Sequence, residues 1–100
     1  MPRATVRIVL DDRAYALALR PADPEVAPLH PAARAALEDA EMTAGTPSVR
    51  VVRCTVPEAR ALLDYFDLLC ARLITLRDDA AAPCARARDI VRRALVAAGA

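Results

Sequence analysis

The sequence lacks several residue types, and each absence excludes a class of chemistry. It has no lysine, asparagine, glutamine or tryptophan, and only two glycines, one serine and one histidine. Gly45 and Gly99 are too few and too far apart to form a glycine-rich phosphate loop. A Ser–His–acid triad would require Ser48 and His30 to meet, and no pattern in the sequence favours that contact. Because no apolar run approaches the ~18 residues that cross a bilayer, we expect no membrane partner.

The charges of the chain are nearly balanced, with 14 arginines against 13 acidic residues and a net charge of +1. A strongly basic nucleic-acid-binding domain or a polybasic membrane-binding segment would carry a larger excess of cations. Alanine, arginine and proline are abundant while lysine and asparagine are absent, a bias typical of a GC-rich, bacterial genome. At 100 residues the chain is expected to form a single domain, residues 1–100, around one modest core.

The three cysteines, Cys54, Cys70 and Cys84, fit a reducing compartment. An odd number cannot all pair within one chain, and residues 1–6 show no secretory signal, so we expect a cytoplasmic location. Zinc sites usually bring their ligands in close pairs such as Cys-x-x-Cys, and no two of these cysteines are close in sequence. We therefore expect them to pack in the core, with no metal and no cofactor.

The first half of the chain predicts a hairpin, a loop and a helix. Residues 5–10 and 13–20 alternate between apolar and other side chains, which predicts two strands joined by a turn at Asp11 and Asp12. Residues 21–31 contain four prolines and predict an extended internal loop. A helix is then expected from Pro31 to about Met42, ended by Gly45.

The second half predicts a third strand at 49–54, followed by two helices. Thr55 and Glu58 have the spacing of a capping box, at the start of a helix over residues 57–76. Its inward face is expected to comprise Leu62, Leu63, Phe66, Leu69, Cys70, Leu73 and Ile74. A last helix is expected from near Pro83 to before Gly99. The order ββαβαα predicts an α+β fold, with a small, mostly antiparallel three-stranded sheet and helices on one face.

The long helix over residues 57–76 provides the leading functional hypothesis. Tyr65, Leu68 and Arg72 form a second, partly apolar stripe, so this helix is apolar over much of its circumference. Either the last helix covers that stripe or another subunit does. Small domains with few bulky core residues gain stability by association. We therefore expect a small, non-catalytic cytoplasmic interaction or accessory protein, a homodimer through this helix, or a complex with another protein.

The arginines of the last helix provide the alternative hypothesis. Arg86, Arg88, Arg92 and Arg93 could bind an anion, which predicts a nucleic-acid-binding regulator. The helix has no aromatic residues to stack on bases, and the same arginines could equally meet an acidic protein or face solvent. Nucleic acid is therefore the less favoured partner.

A Cys–His enzyme is the third and weakest hypothesis. A nucleophilic cysteine needs a base that generates its thiolate, and His30, within the proline-rich loop, is the one candidate. The acid pairs at Asp11 and Asp12 and at Asp78 and Asp79 could suggest bound metal, but turns and helix caps explain them locally.

Overall fold

The computed structural model describes residues 5–19, 24–43 and 49–99. Its elements are, in chain order, β1 (Thr5–Asp11), α1 (Asp12–Ala18), α2 (Pro31–Glu38), β2 (Glu41–Thr43), β3 (Val49–Thr55), α3 (Val56–Thr75) and α4 (Ala81–Ala97). The described strands form one antiparallel sheet in the order β1-β3-β2. The predicted α+β class and three-stranded antiparallel sheet are confirmed.

The sheet buries one face under the helices. β1 pairs with β3 from Thr5 opposite Thr55 to Asp11 opposite Val49. Side chains alternate between the two faces of a strand, and the buried ones on β1 are Val6, Ile8 and Leu10. These side chains join residues of all four described helices in one core cluster, which agrees with the predicted placement of helices on one face.

The predicted second strand at 13–20 is wrong, because residues 12–18 form the helix α1. The Asp11 side chain accepts a hydrogen bond from the backbone N–H of Ala14 at 2.7 Å, so it caps a helix instead of forming a hairpin turn. Ala14 and Ala18 lie one turn apart and are buried. Alanine has the highest helix propensity, so the alternating alanines are compatible with a helix. β1 pairs instead with β3, which is distant in sequence.

The helix that follows the proline-rich loop is shorter than predicted. It begins at Pro31 as expected but ends at Glu38. Residues Glu41–Thr43, which include the predicted helix end at Met42, form β2 and pair with β3. Residues 24–30 of the loop contain no helix or strand. Residues 20–23 and Gly45, the predicted end of the helix, lie outside the described residues.

The C-terminal half of the chain follows the prediction closely. The capping box of α3 is present: Thr55 Oγ1 accepts from the Glu58 N–H at 3.3 Å, and Glu58 Oε1 accepts from the Thr55 N–H at 2.9 Å. In the turn after α3, Arg77 adopts a φ of 53°, and Asp78 Oδ1 accepts from the Ala80 N–H at 2.8 Å. Asp78 thus has the local role expected of it, and the chain reverses so that α4 packs along α3.

Candidate functional site

The three residues of the predicted contact stripe do not share one exposed surface. Tyr65 is only 7% exposed, and its ring lies in the core cluster beside Phe66, with ring centroids 6.3 Å apart. Leu68 is 50% exposed, and Arg72 is half-buried. The chain itself therefore covers the Tyr65 side of α3. Of the stripe, Leu68 remains the exposed apolar member.

A different apolar stripe lies on the outer side of α3, and the sequence pattern missed it. Leu68, Ala71 and Ile74 follow one another at intervals of three residues, so they occupy adjacent turns along one side of the helix. All three are exposed, and Ile74 is 62% exposed although the sequence placed it on the inward face. We call these three residues the α3 stripe. In the sequence, the α3 stripe was indicated by two bulky apolar residues, Leu68 and Ile74, which flank Ala71 on the otherwise polar side of the helix.

The four arginines of α4 point to two sides of the helix. Arg88 and Arg92 lie toward α3, where Asp67 Oδ1 is 3.7 Å from Arg88 Nε and 4.0 Å from Arg92 Nη2. Arg92 Nη1 is also 3.4 Å from Asp89 Oδ1 on α4 itself. Arg86 and Arg93 are exposed and two turns apart on the outer side. Two of the four predicted anion-binding cations are thus paired with carboxylates of this chain, which reduces the positive field available to nucleic acid.

The structure does not bring a cysteine and the histidine together as a nucleophile and its base. Cys54, Cys70 and Cys84 are all buried and unpaired with one another. His30 is exposed at the start of α2, where its Nδ1 accepts from the Ala32 N–H at 3.1 Å. In the described part of the chain no hydrogen bond joins His30 to a cysteine.

The thiol of Cys54 is held in its protonated form. Burial, and secondarily the negative charge of Glu58, raise its pKa from 9.0 to about 11. The thiol lies 3.9 Å from the carbonyl oxygen of Val6, to which it donates. A thiolate at neutral pH, which nucleophilic catalysis needs, is therefore disfavoured at this position.

The described ranges 5–19, 24–43 and 49–99 contain no group of three or more histidine, cysteine or acidic side chains that could hold a metal ion. Within the same ranges, no helix combines the length and the apolar character that crossing a membrane requires.

A groove opens between the N-terminal half of α3 and the C-terminal half of α4. It has a volume of about 380 Å³ and is lined by Arg60, Leu63, Asp64, Arg92, Leu95 and Val96. Its aliphatic members are Leu63, Leu95 and Val96, of which Val96 is 69% exposed. No ion pair joins Arg60 to Asp64 in the part of the chain that the structure describes. We call this feature the α3–α4 groove.

The chain matches no known family model, no curated protein and no solved structure. The surfaces of the molecule itself are therefore the basis on which its function is inferred.

Proposed function

We propose that this protein is a small, non-catalytic cytoplasmic interaction protein that forms a homodimer through the α3 stripe. The observation that carries the proposal is the exposure of Leu68 and Ile74 on adjacent turns around Ala71. Large apolar side chains that lie exposed together on one helix are typical of contact surfaces. Of the five exposed large hydrophobic residues among those described, Leu68, Ile74 and Leu76 lie on α3 or directly after it.

The shape of the α3 stripe suits contact with a second copy of itself. In a two-fold symmetric dimer each surface meets its own copy, so the same patch must be self-complementary. If two α3 helices pack antiparallel about Ala71, Leu68 of one copy faces Ile74 of the other. The small side chain at the centre allows the two helices to approach closely, and the bulky pair on either side fills the space.

The stripe is only two turns long, so the expected dimer is weak. Stable interfaces bury more than about 1,000 Å² in total, and a short stripe lies at the low end of that range. We therefore expect a dimer that dissociates on dilution, over a concentration range from about 10 µM to about 1 mM.

Light scattering during size-exclusion chromatography tests the proposal over that concentration range. Leu68→Asp and Ile74→Asp should each weaken association about 100-fold, because symmetry places the new charge in the interface twice. Met42→Asp is the matched control, since Met42 is 60% exposed but lies on β2, away from α3. A wild-type chain that stays monomeric throughout, or Asp variants that dimerise like the wild type, would overturn the proposal.

The absorbance ratio measured in the same run tests the nucleic-acid alternative. The chain has no tryptophan and two tyrosines, so its own absorbance is weak and co-purifying nucleic acid is easily seen. Under the homodimer proposal the wild-type dimer elutes without excess absorbance at 260 nm. A 260 nm excess that disappears at high salt and in an Arg86→Gln, Arg93→Gln double variant would instead favour nucleic acid.

A further inference from the structure

We propose that the α3–α4 groove is a binding site for a free aliphatic amino acid, of which L-leucine is the representative. The proposal is independent of the homodimer, because none of the residues that line the groove belongs to the α3 stripe. It follows from the way in which apolar, cationic and anionic side chains are combined around one small volume.

The apolar part of the groove lining suits a branched aliphatic side chain. It consists of Leu63, Leu95 and Val96, and the groove volume of about 380 Å³ lies at the small end of the range for ligand pockets. Because Val96 is exposed, a ligand that buries its apolar surface gains binding free energy. A groove of this volume has room for one amino-acid side chain and not for an extended peptide.

Two arginines that line the groove, Arg60 and Arg92, could bind a carboxylate group of a ligand. Arg92 is oriented by two carboxylates of this chain, with Nη1 3.4 Å from Asp89 Oδ1 and Nη2 4.0 Å from Asp67 Oδ1, so it offers a ligand less positive charge than Arg60 does. Arg60 has no acidic partner within 4 Å in the described ranges, so its guanidinium is available to an incoming anion. A planar guanidinium can bind a carboxylate through two parallel hydrogen bonds.

Asp64 distinguishes an amino acid from a simple aliphatic acid. It lies one turn after Arg60 on α3 and also lines the groove, without an ion pair to Arg60. A carboxylate at this position repels a ligand that carries only negative charge and attracts an ammonium group. An α-amino acid supplies both an α-carboxylate for the arginines and an α-ammonium for Asp64, while its side chain covers Leu63 and Val96.

Nuclear magnetic resonance titration of the full chain with L-leucine tests the proposal. The site is open to solvent, so we expect a dissociation constant on the order of 1 mM. Backbone amide shifts should concentrate at residues 60–64 and 92–96. L-alanine should bind about tenfold more weakly, since it lacks most of the aliphatic side chain.

Two analogues of leucine separate a free amino acid from the end of a peptide. Leucinamide lacks the carboxylate and N-acetyl-leucine lacks the ammonium group, and each should bind about fivefold more weakly than leucine. If leucinamide binds as well as leucine, the site accepts an N-terminal residue, and if N-acetyl-leucine does, it accepts a C-terminal one. Either result, or the absence of saturable shifts with leucine, would overturn the proposal.

Variants place the binding in the groove. Asp64→Asn should reduce leucine affinity about fivefold and abolish the advantage of leucine over N-acetyl-leucine, an effect that loss of structure alone would not produce. Val96→Asp should weaken leucine binding about tenfold or more, because it places a charge in the apolar part of the groove lining. Asp79→Asn, an exposed carboxylate outside the groove, is the matched control and should bind as the wild type does. Equal leucine affinity in all three variants would contradict the assignment of the site.

Discussion

The guanidinium carbon of Arg50 lies 4.8 Å from the centroid of the Tyr15 ring. Arg50 belongs to β3 and Tyr15 to α1, so this contact joins the central strand to a helix that the sequence pattern failed to predict. The arginine is also 3.6 Å from Asp12, at the first turn of the same helix. The hydroxyl of Tyr15 donates a hydrogen bond of 2.7 Å to the carbonyl oxygen of Leu37 in α2. The Tyr15 side chain therefore links α1 to both β3 and α2.

We expect Tyr15→Phe to lower the free energy of unfolding by about 1 kcal/mol. The substitution removes the hydroxyl and leaves the Leu37 carbonyl without this donor, but keeps the ring beneath Arg50. Urea denaturation followed by circular dichroism measures the difference. Tyr15→Leu, which removes the ring as well, should cost more, because the cation–π contact and part of the buried area are lost too. Equal stability of the wild type and the phenylalanine variant would show that the hydrogen bond contributes nothing.

The sequence predicted the C-terminal half of the fold better than the N-terminal half. α3 has a strong helical period and a capping box, so local propensity, capping and burial all favour the same structure. Residues 14–19 alternate alanine with tyrosine or leucine, and this pattern is compatible with both the strand and the helix period. What decides between them is the Asp11 cap together with the pairing of β1 to β3, which is a long-range contact that sequence periodicity cannot reveal.

The candidate surfaces were predicted only in part, for a related reason. Tyr65, Leu68 and Arg72 were expected to form one surface that the last helix or another subunit covers, but Tyr65 is buried in the core cluster while Leu68 is exposed. The inward face of α3 is set by what packs against it, and no described element covers Ile74. The α3–α4 groove could not be predicted, since it depends on how α3 and α4 are aligned after the turn at Arg77.

The capping box at the start of α3 predicts a position-specific effect of removing a threonine hydroxyl. Thr55→Ala leaves the Glu58 N–H without its acceptor and should lower the free energy of unfolding by about 1 kcal/mol. Thr75→Ala is the control, because the Thr75 hydroxyl donates to the Ala71 carbonyl oxygen at an exposed site. It should change stability by less than about 0.5 kcal/mol. Similar losses in both variants, measured by urea denaturation, would contradict a role for the cap.

The acidic partners of Arg88 predict a salt-dependent contribution to stability. Arg88 is 28% exposed, and its Nε lies 3.7 Å from a carboxylate oxygen of both Asp67 and Asp89. Asp67→Asn should cost about 1 kcal/mol at low salt, and less at about 1 M salt, where screening is strong. Glu38→Gln breaks the exposed pair of Arg34 and Glu38 on α2 and should have a smaller effect. A loss at Asp67 that is independent of salt would indicate a packing effect instead of charge.

Burial of the cysteines predicts that their thiols are protected from alkylation in the folded protein. Cys54, Cys70 and Cys84 are all buried, and the thiol of Cys84 donates to the Phe66 carbonyl oxygen at 3.7 Å. Iodoacetamide at neutral pH should modify them quickly only after denaturation, which mass spectrometry can follow over time. A single thiol that reacts rapidly in the folded chain would revive the Cys–His hypothesis and identify the nucleophile.

The raised pKa of Cys54 predicts a loss of stability at alkaline pH. In the folded state its pKa is about 11, whereas the ordinary value of 9.0 applies when the chain is unfolded. The folded protein therefore holds the proton more tightly. The contribution of the protonated thiol to the free energy of unfolding is fully present below pH 9. It is lost progressively as the pH rises toward 11, by about 2–3 kcal/mol. Urea denaturation at intervals across this range measures the loss.

Cys54→Ala separates this titration from the other groups that ionise at high pH. The variant should be less stable than the wild type at neutral pH, because it leaves a small cavity in the core cluster. Its stability should fall less steeply between pH 9 and 11, so the two curves converge as the pH rises. Parallel curves would mean that the thiol titrates alike in the folded and unfolded chain. In that case the burial of Cys54 between Val6 and α3 would have no electrostatic consequence.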